Sequence, residues 1–500
     1  LFLIPLDDER QWYRYHHLFA DVLRARLQQE QPALLPTLHR RASKWYEQHG
    51  FRTDAIQHAL AAADFGRAAA LLELIWPEID GQFQTATWLE WLHALPSELI
   101  KSRPVLMVCY AWSLQSSGQL EASEAQLQAA ERALNAIAKN GAIPNDMLVV
   151  DEAQFDTLPT SIATARAYRS LALNDVVNTI KYAKQALASS TDGDLKWRGA
   201  ANSLLGLAHY TSGNLEAAEQ ALTDFMLTSR AAGASVNVVS ITFTLADIKI
   251  TLGRLHEAMQ TYEHALQYAK KQGEPLGTAD LYRGMREICL AWGEVETAVQ
   301  HLQTAAKLGE KAALTNWPYR LAVTQAQLKA AQGDLVGAEK LLNEAKSVHI
   351  PTPILEAQPI TALIARSWLK QGKLAAAQRW AQSSGLSVTD DLSYRQEFEH
   401  ITLARILLAA DKKQAPSDSG TKVVQFLKRL LKAAQQGKRT TSTIEILLLL
   451  ATTQAAQNKL PAALTALHQA LHLAEPAGYL RLFVNAVSYT HLTLPTSFLV

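Results

Sequence analysis

The side chains equipped for chemistry are few, and their spacing argues against catalysis. Asp7, Asp8 and Glu9 form a short acidic run ahead of Arg10. Paired carboxylates do acid–base work when a pocket raises the pKa of one of them. Nothing around this run supplies a pocket, so it reads as a solvated turn. Arg14, His16 and His17 stand together in WYRYHHLF. Imidazole is a common metal ligand, but adjacent residues on a helix point about 100° apart and do not converge on one ion. The segment reads as packing, with Trp12, Tyr15 and Phe19 buried and Arg14 and His16 paired locally; no metal is expected. Cys109 and Cys289 lie far apart in the chain, each in an apolar stretch (VLMVCYAW, REICLAW). That separation suits neither a disulfide framework nor a zinc site, and both read as small buried hydrophobes in a reducing cytoplasm. No G-x-S-x-G nucleophile motif and no G-x-x-x-x-G-K-[ST] phosphate loop occurs, so the chain reads as a binder and not an enzyme.

The bulk numbers agree. Hydrophobic residues make up 48% and charged residues 19% of the 500, which suits a folded chain of more than one core. Basic and acidic residues number 48 and 47, for a formal charge of +1, so no global field draws the chain to nucleic acid or to an anionic membrane. Arg24, Arg26, Arg40 and Arg41 give the N-terminal part a basic side, but no recognition-helix pattern accompanies them. No apolar run is long enough to span a bilayer. IEILLLLA is too short and reads as a buried helix.

What positions side chains here is a repeat. Gly-polar-apolar-x-x-Ala recurs at Gly213, Gly253, Gly293, Gly333 and Gly372, a near-constant beat of about forty positions. Weaker copies start at Gly118, Asn174 and Asn458. The next slot after Gly372 falls on Asp411, where the glycine is replaced and a polar insert follows over 412–420. On either side of each turn the apolar residues keep helical spacing, as in Leu215, Ala218, Leu222, Phe225 and Met226. The pattern predicts helix hairpins. Glycine closes the first helix in the left-handed conformation, a polar residue such as Asn214, Glu294 or Asp334 starts the second, and the alanine that ends the motif lets the two pack closely. A unit of this length leaves two helices of roughly 17 residues, each about 25 Å long. One hairpin cannot bury its apolar face alone, so the hairpins stack into a superhelix with a long concave groove.

Each hairpin resembles a tetratricopeptide repeat. NSLLGLAHYTSGNLEAAEQAL (202–222) carries the Leu-Gly pair at Leu205 and Gly206, the aromatic, the turn and the alanine, in units about six residues longer than the standard repeat. LDDERQWYRYHHLFADVLRARL (6–27), LHRRASKWYEQHGFRTDAIQHALAAADFGRAAALLE (38–73), WLEWLHALPSELIKSRPVL (88–106) and ALHLAEPAGYLRLF (470–483) resemble the large ATP-binding LuxR-type transcription regulators of the maltose-regulon activator type. The resemblance implies an all-α chain. Residues 1–60 would be a winged-helix-like connector remnant and 61–110 a helical connector. Residues 111–485 would be a tetratricopeptide-like superhelical sensor. Residues 486–500 would be a tail, in which the uncharged SYTHLTLPTSFLV (488–500) fits no helical period and reads as sequence unrelated to the family, with a short genuine tail as the alternative. In that family an effector and ATP together drive self-association and promoter binding. ATP and DNA would then be bound by modules whose motifs are absent here. The resemblance also makes His16 a nucleotide-contact candidate.

The groove is where a ligand is expected. In such hairpins the first helix lines the concave wall. Counting back from each turn glycine places Ser203, Tyr210, Asp247, Asp280, Arg283, Glu287, Arg320 and Gln327 there. Converging charged and hydroxyl groups suit a polar effector. Trp292, Trp317, Trp368 and Trp380 are expected to pack between repeats. The leading expectation is therefore the effector-sensing and protein-interaction region of a cytoplasmic ATP-dependent activator. A constitutive scaffold holding a partner protein or peptide is the alternative.

Overall fold

A computed structural model of the chain describes residues 3–5, 13–81, 85–140, 147–191, 193–350, 356–411 and 419–487. The acidic run 7–9, Trp12, most of the polar insert after Asp411 and the tail 488–500 lie outside the described residues. The chain divides into two compact units, Leu1–Arg169 and Ser170–Val500.

The first unit opens with the one sheet among the described residues. Strands Leu3–Pro5 and Tyr13–Tyr15 pair antiparallel, with Ile4 opposite Arg14. His16 therefore lies between the second strand and helix His17–Glu30, at the helix N-cap, and the two histidines are not successive helical positions. Tyr15 is not buried as expected. It is 50% exposed, because a two-stranded hairpin has no second layer over it among the described residues, and the helix that follows buries none of its own residues. Phe19 is half-buried, with its ring edge-on to Tyr15 at 5.4 Å. The core of this unit lies further along. Trp88, Leu72, Leu106 and Leu127 are fully enclosed, and the Trp88 indole N–H donates to the Leu72 carbonyl at 3.2 Å. Cys109 sits inside helix Pro104–Ser116, which is buried along most of its length.

In the second unit every described regular element is helical. All five repeat glycines take the left-handed conformation, with φ between 72° and 92°, and Asn174 and Asn458 follow at 58° and 55°. Ala218, Ala258, Ala298, Ala338 and Ala377, the alanines that end each motif, are at most 1% exposed. They form the close seams of the hairpins. Asn214 and Asp334 cap the second helices by accepting from the backbone N–H of Ala217 and Gly337, whereas Glu294 makes no such bond. The first full hairpin, Leu195–Ser212 with Leu215–Ala231, has helices of 18 and 17 residues; by Ile360–Lys370 and Leu374–Ser383 they shorten to 11 and 10.

The coil does not stay open. One hydrophobic core joins Tyr262, Leu281 and Met285 of the middle repeats to Phe426, Leu447 and Tyr479 of the last ones. Polar contacts fasten the same seam. The Leu480 N–H donates to the Ala291 carbonyl at 3.0 Å, the Trp292 indole to Ala477 at 2.9 Å, and the Tyr479 hydroxyl to Ile250 at 2.8 Å. Three repeat glycines lie in this seam. A Cβ on Gly213, Gly253 or Gly293 would stand 2.7 Å from Tyr394, Thr440 or Leu480 respectively, while Gly333 and Gly372 face open space. The long groove expected from the repeats is thus wrapped round on itself, and its inner wall becomes the lining of two cavities.

Candidate functional site

Two cavities of about 370 and 350 Å³ lie inside the second unit and share Asp247, Glu287 and Gln327 in their walls. Both volumes fall in the range of small-molecule sites. Tyr210, Asp247, Arg283, Glu287, Arg320 and Gln327, six of the eight groove residues picked out from the repeat register, line the smaller one. Asp280 stands behind the wall and is 1% exposed. It accepts from Arg320 at 2.8 and 3.1 Å and from the Leu314 N–H at 2.9 Å, so it holds Arg320 in place. Ser203 is half-buried and lines neither cavity. In the first unit, His16 is half-buried with its ring 4.3 Å from that of His17.

Electrostatics in the smaller cavity follow from burial. The Asp247 carboxyl accepts from the Tyr210 hydroxyl. Its pKa rises to about 6, chiefly because burial penalises the carboxylate; the Tyr210 bond opposes this, Glu287 adds to it and Arg283 opposes it. Arg286, 1% exposed and in the wall of the larger cavity, donates to the Gln327 side chain at 3.0 Å, and burial pulls its pKa down to about 10. Tyr319 donates to Glu356, whose carboxylate also lies 3.7 Å from His349.

The larger cavity extends the same register further than the sequence reading carried it. At one fixed position ahead of the turn glycine stand Asp247, Glu287, Gln327 and Arg366. The degenerate slot at Asp411 gives Arg405, and Glu445 and Asn485 continue the row at forty-residue steps, although the Asn458 turn no longer keeps that register. All seven line the larger cavity, each from the first helix of a successive repeat. The first-helix rule could have found Arg366, Arg405, Glu445 and Asn485, but the missing glycine at Asp411 and the polar insert hid the beat. Arg366 and Arg405 both bind Glu445, at 2.9 and 2.8 Å. Burial works against the Glu445 charge, yet the two arginines outweigh it and hold its pKa below the usual carboxylate range. Beside them stand Lys370 and Arg481.

The tryptophans pack, as expected. Trp317 is 4% exposed, Trp292 stacks on His256 at 5.0 Å, Trp368 donates to Glu339 at 2.7 Å, Trp380 joins a small core cluster, and no tryptophan lines either cavity. Cys109 and Cys289 are buried. Among the described residues, no group of three or more His, Cys, Asp or Glu side chains could hold a metal ion, and no helix is long and apolar enough to cross a membrane.

The chain is similar in sequence to known proteins. The chain is 26% identical over 420 residues to the HTH-type transcriptional regulator MalT of Yersinia enterocolitica, a match covering 82% of this chain and 44% of that one. It is 33% identical over 186 residues to the serine/threonine-protein kinase PknK of Mycobacterium tuberculosis, covering 32% of this chain and 17% of that one. The chain thus spans less than half the length of these relatives. Among solved structures, a Rap protein complexed with competence and sporulation factor aligns with TM-score 0.49 at 12% identity, over 75% of this chain and 98% of that one. The family model for the MalT winged helix domain matches residues 1–35, and that for the MalT-like TPR region matches residues 160–486. The repeat array, its left-handed turns and well over half of the sequence agree, and the chain belongs to the family of the MalT-like TPR region.

Proposed function

We propose that the second unit is the effector-sensing region of a MalT-type transcription regulator and that a small polar inducer binds in its interior cavities. The carrying observation is the ladder of seven polar residues, one per repeat, that lines a cavity of about 370 Å³. A solvated surface has no need to hold Asp247 and Arg286 at shifted pKa values, whereas a ligand supplying directed hydrogen bonds offsets those costs. The seam that closes the cavity brings helix Arg481–Val487 against the middle repeats, so ligand and seam share side chains such as Tyr479 and Arg481. Binding would bias that seam. In the whole regulator this would promote self-association through an ATP-binding module, and promoter binding through a separate DNA-binding domain, in the cytoplasm. The alternative, a scaffold holding a partner protein or peptide in the same hollow, is separated from this reading by the ligand screen.

A metabolite screen by thermal shift and calorimetry tests the proposal, with hydrogen exchange followed over residues 479–487. The expected result is saturable binding of a small molecule with increased protection there. Saturable peptide binding with no small-molecule ligand would defeat it.

A further inference from the structure

We propose that the larger cavity binds the anionic group, a phosphate or carboxylate, of a small effector, held by Lys370, Arg366, Arg405 and Arg481. This rests on the effector reading above and names the chemistry of the ligand.

The ladder changes sign along its length. Its first members are Asp247 and Glu287, and its fourth and fifth are Arg366 and Arg405. Around the basic part four cations face one carboxylate. Arg366 already binds Glu445, the Thr402 hydroxyl and the Phe398 carbonyl, Arg405 also binds Glu445, and Arg481 gives one N–H to the Ala331 carbonyl at 2.7 Å. Lys370 makes no hydrogen bond or ion pair among the described residues, and it remains solvent-accessible while lining the cavity. Its register position is telling. At the same place ahead of the turn glycine, the three preceding repeats carry Thr251, Ala291 and Ala331, all of which line the same cavity. A long cation has replaced a small side chain only where three arginines already stand.

That arrangement carries a cost in the empty protein. Burial lowers the Lys370 pKa first, and repulsion by Arg405, Arg481 and Arg366 adds to it against the pull of Glu445, bringing it to about 8. A buried cation points the same way: Arg286, 1% exposed and lining this cavity, has an Nε with no hydrogen-bond partner. Charge-assisted bonds from guanidinium and ammonium groups to a phosphate or carboxylate relieve both penalties. At the other end of the ladder Asp247 and Glu287 accept hydrogen bonds, so the ligand that fits is a small anion carrying donor groups away from its charge.

Sulfate, whose charge is constant between about pH 7 and pH 9, and succinate serve as probes on the 500-residue chain, against sodium chloride of equal ionic strength. Saturable thermal stabilisation beyond the chloride control is expected, and Lys370→Met should weaken it by at least about tenfold. Lys370 goes from mostly protonated to mostly neutral between pH 7 and 9, so sulfate affinity should fall about tenfold across that range. The fall should vanish in Lys370→Arg, which keeps its charge. The Lys370→Arg pH profile decides the matter where Lys370→Met fails to fold. Stabilisation no greater than that by chloride, or an unchanged pH profile in Lys370→Arg, overturns the proposal. Saturable binding of neutral metabolites alone would overturn the anion site and leave the effector reading intact. Anion binding without any change in exchange over residues 479–487 would do the reverse.

Discussion

Glu73 carries the sharpest single-residue consequence outside the cavities. It is fully buried in the first unit, 3.2 Å from Arg103, and its second carboxylate oxygen has no hydrogen-bond partner. Burial raises its pKa to about 7, and the Arg103 charge and hydrogen bond only partly offset that. The folded pKa lies above the unfolded one, so this group's contribution to stability is complete below about pH 4.5 and is lost as pH rises through 7. Hydrogen-exchange protection of helix Phe65–Gly81, corrected for intrinsic rates, should therefore fall between pH 5 and pH 8 by up to about 3 kcal/mol. Glu73→Gln should flatten that dependence, and an equally steep profile in the variant would exclude Glu73 as its source. Asp247 obeys the same sign: its raised pKa means that stability declines as pH rises through about 6. Asp247→Asn keeps an acceptor for Tyr210, so its melting temperature should equal or exceed the parent's at pH 7.5 and match it near pH 4. Asp247 was legible in the sequence because it holds a fixed register from Gly253. The Glu73–Arg103 pair was not, since nothing in AAALLELIW points to an arginine so far along the chain.

At the scale of the hairpin, the repeat glycines separate two physical demands. Gly333 meets only the backbone one: its φ is 92° and no atom lies near its missing Cβ. Gly253 meets a second, because a Cβ there would approach the Thr440 side chain to 2.7 Å. Gly333→Ala should cost about 1–2 kcal/mol for the left-handed conformation alone. Gly253→Ala adds overpacking in the seam, typically about 1–3 kcal/mol more. Urea denaturation of both variants checks the difference, and equal losses would mean that the seam yields freely at Thr440. The turns, the seam alanines and the helix order all follow from the repeat beat. Helix length does not. The unit Ile360–Lys370 with Leu374–Ser383 is shorter than those that follow it, Glu397–Asp411 with Ser419–Gln436 and Thr440–Ala456 with Leu460–Ala474, and no local signal in the sequence fixes that partition.

At the scale of the second unit, closure of the coil is the controlling event. Tyr479 is 7% exposed; it donates to the Ile250 carbonyl and shares a hydrogen bond with Thr441 at 2.6 Å. Tyr479→Phe should cost about 0.5–1.5 kcal/mol, because the Tyr479 hydrogen bond is lost while the Thr441 hydroxyl still donates to the Ile250 carbonyl. The loss should appear as faster exchange at Leu480 and Val484, whose N–H groups are hydrogen-bonded at the seam and the start of the last helix. Unchanged exchange at both amides would place the strength of the seam in its apolar core.

The sequence alone determined the repeating unit, because a left-handed turn residue, a small seam residue and helical apolar spacing are local demands that each unit must meet for itself. It also determined which helix faces inward, and so named six residues of the smaller cavity. Only the tertiary structure decided that the coil closes on itself. Closure depends on the small rotation between successive repeats, which accumulates over many units and is written in no one of them. The same rotation brought Lys370, Arg366, Arg405 and Arg481 into one cavity with Asp247 and Glu287. It turned a groove wall into a lined interior.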